Sequence, residues 1–511
     1  MKTTITKQQQ RLLLLAAAVS SSCGLAVELL LGTLASYLVG NQALAYGVAV
    51  GGFLAAMGVG SYLSKFIATD TESNFYQSEL LSAFAKVELA IAPLTALLPL
   101  GLFALFVYDG DLWIGLCFAT VILGILAGLE VPLLTRVLEL DSSLKDALAG
   151  VLALDYLGAL IGSIAFPLLL LPFVGMFPAG FILGALPGVM VFWLGREFPQ
   201  LRFYRYWGLG IASALIAIAP ISIPLTNQLE NNLYQAPVIS RIQSQYQRIV
   251  LTRRGEDLRL YLDGDLQLST FDEYRYHEAL IHPAMSANPN RQQILLMGAG
   301  DGMALREILK WQKVEQVILM ELDPAVVDLA SKHPQLLKVN GNSFQDPRVE
   351  VIYGDAFLEV AKLPQQFDVI IADFPDPDRE IIAKLYSQGF YQRILSRLKD
   401  DGVFVTQASS PFFAPKVISC ILQTLESTGL TAKPYITEVP SFGTWGFAIA
   451  SRMPLEPQSL SLPIPTRFLT PSMLKSLFNL PGDIKLKEVE INRLSHPVIV
   501  RYQSDRRWLH Y

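Results

Sequence analysis

The sequence predicts a multi-pass α-helical membrane domain over residues 1–226, followed by an α/β domain over 237–455 with a doubly wound, mostly parallel sheet. Three observations predict it. Hydrophobic residues make up 52% of the 511 and charged residues 17%, but the long apolar runs lie between Arg11 and Leu225. From about Val238 onward the pattern turns to short β-like runs, then to alternating β and α, as in a parallel sheet covered by helices. Last, FDVIIAD (367–373) reads as a central parallel strand, apolar on both faces, yet IIADFPDPD ends it with Asp373, Asp376 and Asp378 in quick succession. Those carboxylates need partners, either solvent or a cationic ligand.

In the first part, a membrane span needs about 20 predominantly apolar residues. Spans are expected near 12–38, 43–67, 83–107, 112–136, 148–171, 177–195 and 207–225. Lys2, Lys7 and Arg11 precede an apolar stretch too long for a cleaved signal peptide, so it reads as the first span. Lys65 and Lys86, Arg136 and Lys145, and Arg196, Arg202 and Arg205 fall on the side of the N-terminus. The opposite connections, Gly40–Gln42, Asp109–Asp111 and Pro172–Pro178, are poor in basic residues. The positive-inside rule then makes the N-terminus cytoplasmic, and a seventh crossing would carry the C-terminal half outside. Pro220 and Pro224 leave open a broken or re-entrant seventh segment. Glu28, Glu88, Glu130 and Asp155 fall in or near the spans, either partnered near the headgroups by residues such as Lys86 or Arg136, or marking an ion or polyamine path. Gly47, Gly51, Gly52, Gly58 and Gly60 predict close helix packing.

In the second part, RIVLTRR and LRLYLDG predict a small β-region over 238–270. QILLMGAG, VEQVILMEL, VEVIYGD, FDVIIAD and GVFVTQA are the strands of the sheet, with helices from Asp301, from Pro324, and near 385–399 and 415–428. Gly298, Gly300 and Gly302 follow the first of these strands, where a backbone can approach a ligand closely. Glu321 ends the next strand about 20 residues on, the place of an acid that takes ribose hydroxyls. Asp301, Glu321, Asp355 and Asp373 thus sit at four successive strand ends. No Lys or Arg lies in the glycine loop, so a cationic nucleoside such as a sulfonium fits better than a dinucleotide. A net charge of −5 gives no basic footprint for nucleic acid. Cys23, Cys117 and Cys420 have no disulfide-framework or metal-site spacing, and no metal is expected. Residues 456–511, ending in RRWLHY, carry no interpretable pattern.

The ordered motifs YLDGDLQLSTFDEYRYHE, LLMGAGDGMALRE, MELDP, DPRVEVIYGDA and IIADFPDPD resemble the spermidine synthases, or polyamine aminopropyltransferases, over about Gln247 to Ser451. The first half resembles the multi-pass, transporter-like domain fused to some bacterial members. The resemblance implies a Rossmann-like sheet of the class I methyltransferase type. It also implies aminopropyl transfer from decarboxylated S-adenosylmethionine to a diamine, putrescine above all, with no prosthetic group. Gln247, Glu321, Asp355 and Ala356 would hold the nucleoside beside Gly298 and Gly300, and Asp373 would accept the proton. Tyr276, His277, Asp301, Asp376 and Gln267 would line the amine channel. Family members also imply a homo-oligomer, and family chemistry implies a multi-pass protein of the cell membrane with a cytoplasmic catalytic domain.

Two departures from the family stand out: Ala299 stands where many members have the middle glycine, a small steric change, and Phe442 occupies the region where many members carry a substrate-contacting tyrosine. Another acceptor, giving thermospermine or a related polyamine, stays open, as does a polyamine transporter or sensor. A methyltransferase fits less well, because the carboxylate of S-adenosylmethionine would meet Asp301 and Asp373.

Overall fold

The structure, a computed structural model, describes residues 5–39, 42–70, 73 and 75–504. Lys2, Gly40 and Asn41 of the first expected loop, and the closing RRWLHY lie outside the described residues. The chain forms two compact units, Met1–Val238 and Ile239–Tyr511.

The first unit is a bundle of helices Lys7–Val39, Gln42–Leu63, Tyr76–Val107, Leu112–Leu138, Leu144–Ala165, Met176–Glu197 and Arg202–Leu233. Each carries a segment long and apolar enough to cross a membrane. Leu54, Phe118, Ile161, Phe173 and Ile221 are exposed on its outer surface, so these helices are apolar outside as well as inside. The helix Arg202–Leu233 runs unbroken through Pro220 and Pro224, against the broken segment those prolines had left open. Contacts at its two ends show how the bundle is threaded. Gln9 Nε2 donates to the Glu197 carbonyl at 2.8 Å, and Ile5 N–H to Asp141, so the N-terminus meets two of the basic connections at one end. At the other end the Tyr37 and Tyr234 hydroxyls are 2.8 Å apart.

Of the second-helix glycines, Gly60 is in closest contact: a Cβ there would fall 2.0 Å from the Ile125 carbonyl oxygen. Gly52 approaches Thr120, whereas Gly47, Gly51 and Gly58 face open space and do not serve close packing. The expected Arg136 partnership is also corrected. Its guanidinium donates to the carbonyls of Ser64, Ile67 and Ala68 and to the Tyr76 hydroxyl. Lys86 is exposed, whereas Glu88 is fully buried and accepts a hydrogen bond from Ser20. Ser20, Glu88, Thr95 and Glu130 line one internal cavity.

The second unit opens with a four-stranded sheet in the order β1 (Val238–Gln243), β2 (Arg248–Arg254), β3 (Asp257–Leu262), β4 (Asp265–Ser269). The main sheet comprises β5 (Gln293–Gly298), β6 (Gln316–Glu321), β7 (Val349–Tyr353), β8 (Phe367–Asp373), β9 (Leu398–Gln407), β10 (Thr431–Val439) and β11 (Gly443–Ser451). Its order is β10-β11-β9-β8-β5-β6-β7. β5 to β9 pair in parallel, as expected, and an antiparallel β10–β11 hairpin closes one edge. Both faces are buried: Ile294, Leu296, Val369 and Ile371 pack into one cluster, and Leu295, Met297, Ile370 and Ala372 into another.

The uninterpreted segment after 455 belongs to this same core. Leu460, Leu469, Leu474 and Leu477 join one cluster, and Val498, Ile499 and Tyr502 the other. Glu278 ties it down, accepting the backbone N–H groups of Arg467, Phe468 and Leu469 at 2.6, 2.9 and 2.8 Å.

Candidate active site

Gly298, at the end of β5, lies directly opposite Asp373, at the end of β8. The chain runs from β5 through β6 to β7 on one side, then returns to β8 on the other. Open α/β sheets bind ligands in the crevice at such a switch point. Gly298 has φ +75°, and a Cβ there would stand 2.1 Å from the Asp373 carbonyl oxygen, so only glycine fits. A Cβ on Gly300 would meet Glu321 Oε2 at 2.8 Å, so the loop threads between the two acidic strand ends. Ala299 between them has φ +59°. Its departure is therefore a left-handed backbone costing about 1–2 kcal/mol, not the steric change expected.

The helix Glu273–Ala287 delivers Tyr276 and His277 to this crevice. The Tyr276 hydroxyl donates to Asp373 Oδ1 at 2.6 Å. Burial pushes the Asp373 carboxyl up to about 6, with His277 and Tyr276 opposing the rise and Asp301 adding to it. His277 Nδ1 is 2.9 Å from Glu273 Oε2, and its Nε2 is 3.9 Å from Asp301 Oδ2. Burial opposes a charge on this imidazole. The Glu273 hydrogen bond and the Asp301, Glu273 and Asp373 carboxylates outweigh it and raise His277 to about 9. Arg306 grips Glu273 from behind, with Nη1 and Nη2 each 3.0 Å from one carboxylate oxygen. Asp301 Oδ1 accepts the Met303 N–H at 2.8 Å. Charge thus alternates along Arg306, Glu273, His277 and Asp301, and fixes the wall of the site next to Asp373.

On the other side of the glycine loop, burial lifts the Glu321 carboxyl to about 7. Gln247 does not meet Glu321 in a hydrogen bond. Its amide donates at 3.0 Å to Asp323, which also accepts the Ser244 hydroxyl and caps the next helix through the Ala325 N–H. Asp355 caps the short helix that begins at Ala356 and receives Lys384 Nζ on its second oxygen. Asp376 accepts from Gln407 Nε2 at 3.2 Å, Ser409 Oγ at 3.1 Å and Gln503 Nε2 at 2.9 Å, and burial raises its carboxyl to about 6. Gln267 lies on β4 and donates its amide to the Asp265 carbonyl at 3.4 Å. Asp378 pairs with Arg379, which also binds Asp263 in the β3–β4 turn. The Phe442 ring stands 6.2 Å from that of Tyr276, and the Asp272 carboxylate holds its turn through Ser441. Among the described residues, no group of three or more His, Cys, Asp or Glu side chains is arranged to hold a metal ion.

Residues 273–459 match the family model of the spermine/spermidine synthase domain. A polyamine aminopropyltransferase of Leptospira interrogans serogroup Icterohaemorrhagiae serovar copenhageni is 39% identical over 96% of this chain and 97% of its own. Polyamine aminopropyltransferase 2 of Ralstonia nicotianae is 40% identical over 95% of this chain and 96% of its own. The chain belongs to the polyamine aminopropyltransferases. These relatives align with the helical unit of the aminopropyltransferase as well as its sheet unit. A solved spermidine synthase in complex with the transition state analogue AdoDATO is 30% identical, covering 48% of this chain and 86% of its own with a TM-score of 0.46.

Several side chains that build the candidate site had not been singled out from the sequence. Glu273 and Arg306 set the charge of His277, Asp323 takes Gln247, Lys384 takes Asp355, and Gln407, Ser409 and Gln503 hold Asp376. Glu273 was legible, since it precedes His277 by one helical turn. Nothing in the local sequence pointed to Gln503.

Proposed function

We propose that this aminopropyltransferase moves the aminopropyl group of decarboxylated S-adenosylmethionine onto putrescine, giving spermidine and methylthioadenosine. The amine nitrogen attacks the aminopropyl carbon bound to the sulfonium. The C–N bond forms as the C–S bond breaks, and sulfur keeps the electron pair as a neutral thioether. The proton lost by nitrogen goes to Asp373. An alkylammonium has a pKa of about 10, by analogy with lysine, and cannot attack while protonated. The observation that carries this reading is Asp373 itself: a carboxyl near 6, fixed by Tyr276 at the switch point, is suited to accept that proton. Asp376, Asp301 and Glu321 supply negative charge for an ammonium and a sulfonium, and Glu321 and Asp355 are suited to the ribose and adenine.

The test is product analysis with the full chain, decarboxylated S-adenosylmethionine and a panel of amines. Putrescine should release methylthioadenosine fastest. Phe442 favours a second reading, because its ring offers no hydroxyl beside Tyr276; faster release with a longer amine would select it. Ligand binding without methylthioadenosine from any acceptor would favour a transporter or sensor instead.

The helical unit is proposed to sit in the cell membrane, a reading supported by its seven long apolar helices and apolar outer surface. The catalytic unit is proposed to face the cytoplasm, where family chemistry makes the co-substrate. With seven crossings, that arrangement turns the basic end of the bundle away from the cytoplasm, against the positive-inside rule. A reporter fused after Tyr511 tests it: an external signal overturns the cytoplasmic assignment.

A further inference from the structure

Asp376 and Asp355 are both acids near the strand ends, but they are partnered differently. Asp355 faces a lysine, which cancels its charge. Among the described residues Asp376 accepts only from neutral groups, the amides of Gln407 and Gln503 and the hydroxyl of Ser409. Neutral donors stabilise a carboxylate without neutralising it, so the charge remains available to a cationic ligand. Two of these donors come from the end of β9 and the loop after it. The third comes from the short helix Val498–Gln503, far along the chain and beyond residues 273–459 that match the family model.

That helix is a fixed mount. Val498, Ile499 and Tyr502 are buried in the core beneath the sheet, and the Tyr502 hydroxyl accepts the Glu490 N–H. Gln503 follows directly and is only partly buried. Its Nε2 reaches Asp376 Oδ2 at 2.9 Å, and its Oε1 lies 3.2 Å from Ser409 Oγ. One amide therefore engages both the acid and a second group that holds the acid.

We propose that Gln503 is a positioning residue for the amine acceptor: it keeps Asp376 oriented and ionised, so that the C-terminal segment completes the acceptor subsite. This inference rests on the reading of Asp376 as an acceptor-binding acid. Burial already pushes the Asp376 carboxyl up to about 6, the Gln407 and Ser409 hydrogen bonds hold it down, and the nearby Asp378 and Asp265 add to the rise. Removing a further donor moves it higher, so more of it is protonated and uncharged near neutral pH.

The experiment compares steady-state kinetics of the full chain with those of Gln503→Ala, Gln503→Glu, Asp376→Asn and the double variant Asp376→Asn/Gln503→Ala, with putrescine varied from pH 5.5 to 8.5. For Gln503→Ala the acceptor KM should rise about tenfold, the scale of one hydrogen bond to a charged group. Its kcat and its KM for decarboxylated S-adenosylmethionine should stay within about twofold of the parent, as expected when only acceptor binding is lost. The acid limb of kcat/KM for the amine should move to higher pH, and further still for Gln503→Glu, which adds a like charge. The double variant should be no worse than Asp376→Asn, because the two residues act as one unit. A parental acceptor KM and acid limb in Gln503→Ala, with Asp376→Asn impaired, overturns the inference and leaves the acceptor reading standing. A parallel loss in kcat and both KM values overturns it too, since that marks general damage. An unimpaired Asp376→Asn overturns the acceptor reading, and the inference with it.

Discussion

Glu273 in the sheet unit and Glu88 in the helical unit are both carboxylates shut away from solvent, but their surroundings differ in what sets the cost of burial. Glu273 has Arg306 on both oxygens and the His277 imidazolium on one of them. Arg306 and His277 hold its carboxyl below the ordinary range although burial pushes it up. Glu88 has the Ser20 hydroxyl on one oxygen, and its other oxygen has no hydrogen-bond partner among the described residues. An unpaired buried charge is expensive, whereas a paired one fixes geometry at modest net cost. Within the sheet unit the same contrast separates scaffold from site. Asp368, beneath β5, is satisfied by two backbone N–H groups and Lys399. Asp373, Asp376 and Glu321, facing the crevice, have no lysine or arginine partner in the contacts described above. Asp376 and Glu321 thus carry charge that no cation among the contacts described answers, while Asp373 also feels the His277 imidazolium.

The largest effect should come from the crevice acid at the switch point. Asp373→Asn should lower turnover by about 10²–10⁴-fold, the scale of a positioned general base, while nucleoside affinity stays within a few fold. Single-turnover release of methylthioadenosine and equilibrium binding of methylthioadenosine separate the two. Near-normal turnover would remove Asp373 from its proposed role as base. In the parent, activity should fall as the pH drops through about 6, because protonation removes the acceptor form of this carboxyl.

Next in size is the break in the compensated row. Glu273→Gln should destabilise the helix Glu273–Ala287 by about 3 kcal/mol, since it takes from the buried His277 its nearest carboxylate and leaves Arg306 only Glu307. Amide protection factors for that helix, measured on the full chain, should fall on the order of 100-fold. The parent carries a pH signature as well. His277 is raised from its ordinary 6.5 to about 9, so its stabilising contribution is complete below 6.5 and is lost as the pH rises through 9. Protection should therefore decline from pH 7 to pH 9 in the parent and much less in the variant. Equal protection in both would show that the charge row contributes nothing to the fold.

These differences also explain what could be read from the sequence. β5, β6 and β8 were legible because their apolar runs are too short for a helix and stop at a glycine or an acid. Those stops placed Asp301, Glu321 and Asp373 at the strand ends before any geometry was known. The β10–β11 hairpin was not foreseen: TAKPYITEV mixes polar and apolar residues without strict alternation, and GTWGFAIAS opens with two glycines within four residues. The segment after 455 was opaque for a different reason. Its short helices are fixed by tertiary partners, such as the Glu278 carboxylate beneath Arg467–Leu469, and local spacing carries no trace of them. Gln503 meets Asp376 across 127 positions, and no periodicity predicts such a contact. Partner identity failed in the same way for Arg136, which took backbone carbonyls instead of a buried acid.

The smallest expected effect lies on the other side of the comparison, and it is the one able to break it. Glu88→Gln keeps an acceptor for the Ser20 hydroxyl and exchanges the unpartnered carboxylate oxygen for a neutral amide. If Glu88 has no counter-charge, that exchange relieves the larger cost of a buried charge and adds the smaller one of two amide N–H groups, so stability should change by less than about 1 kcal/mol or rise. The measurement is amide protection in the helix Tyr76–Val107 of the full chain, read beside Glu273→Gln under the same conditions. A loss as large as that of Glu273→Gln would mean that the Glu88 oxygen already answers a cation in the cavity it shares with Glu130 and Thr95. The two acids would then be compensated alike, one by the protein's own arginine and histidine and the other by something the bundle admits.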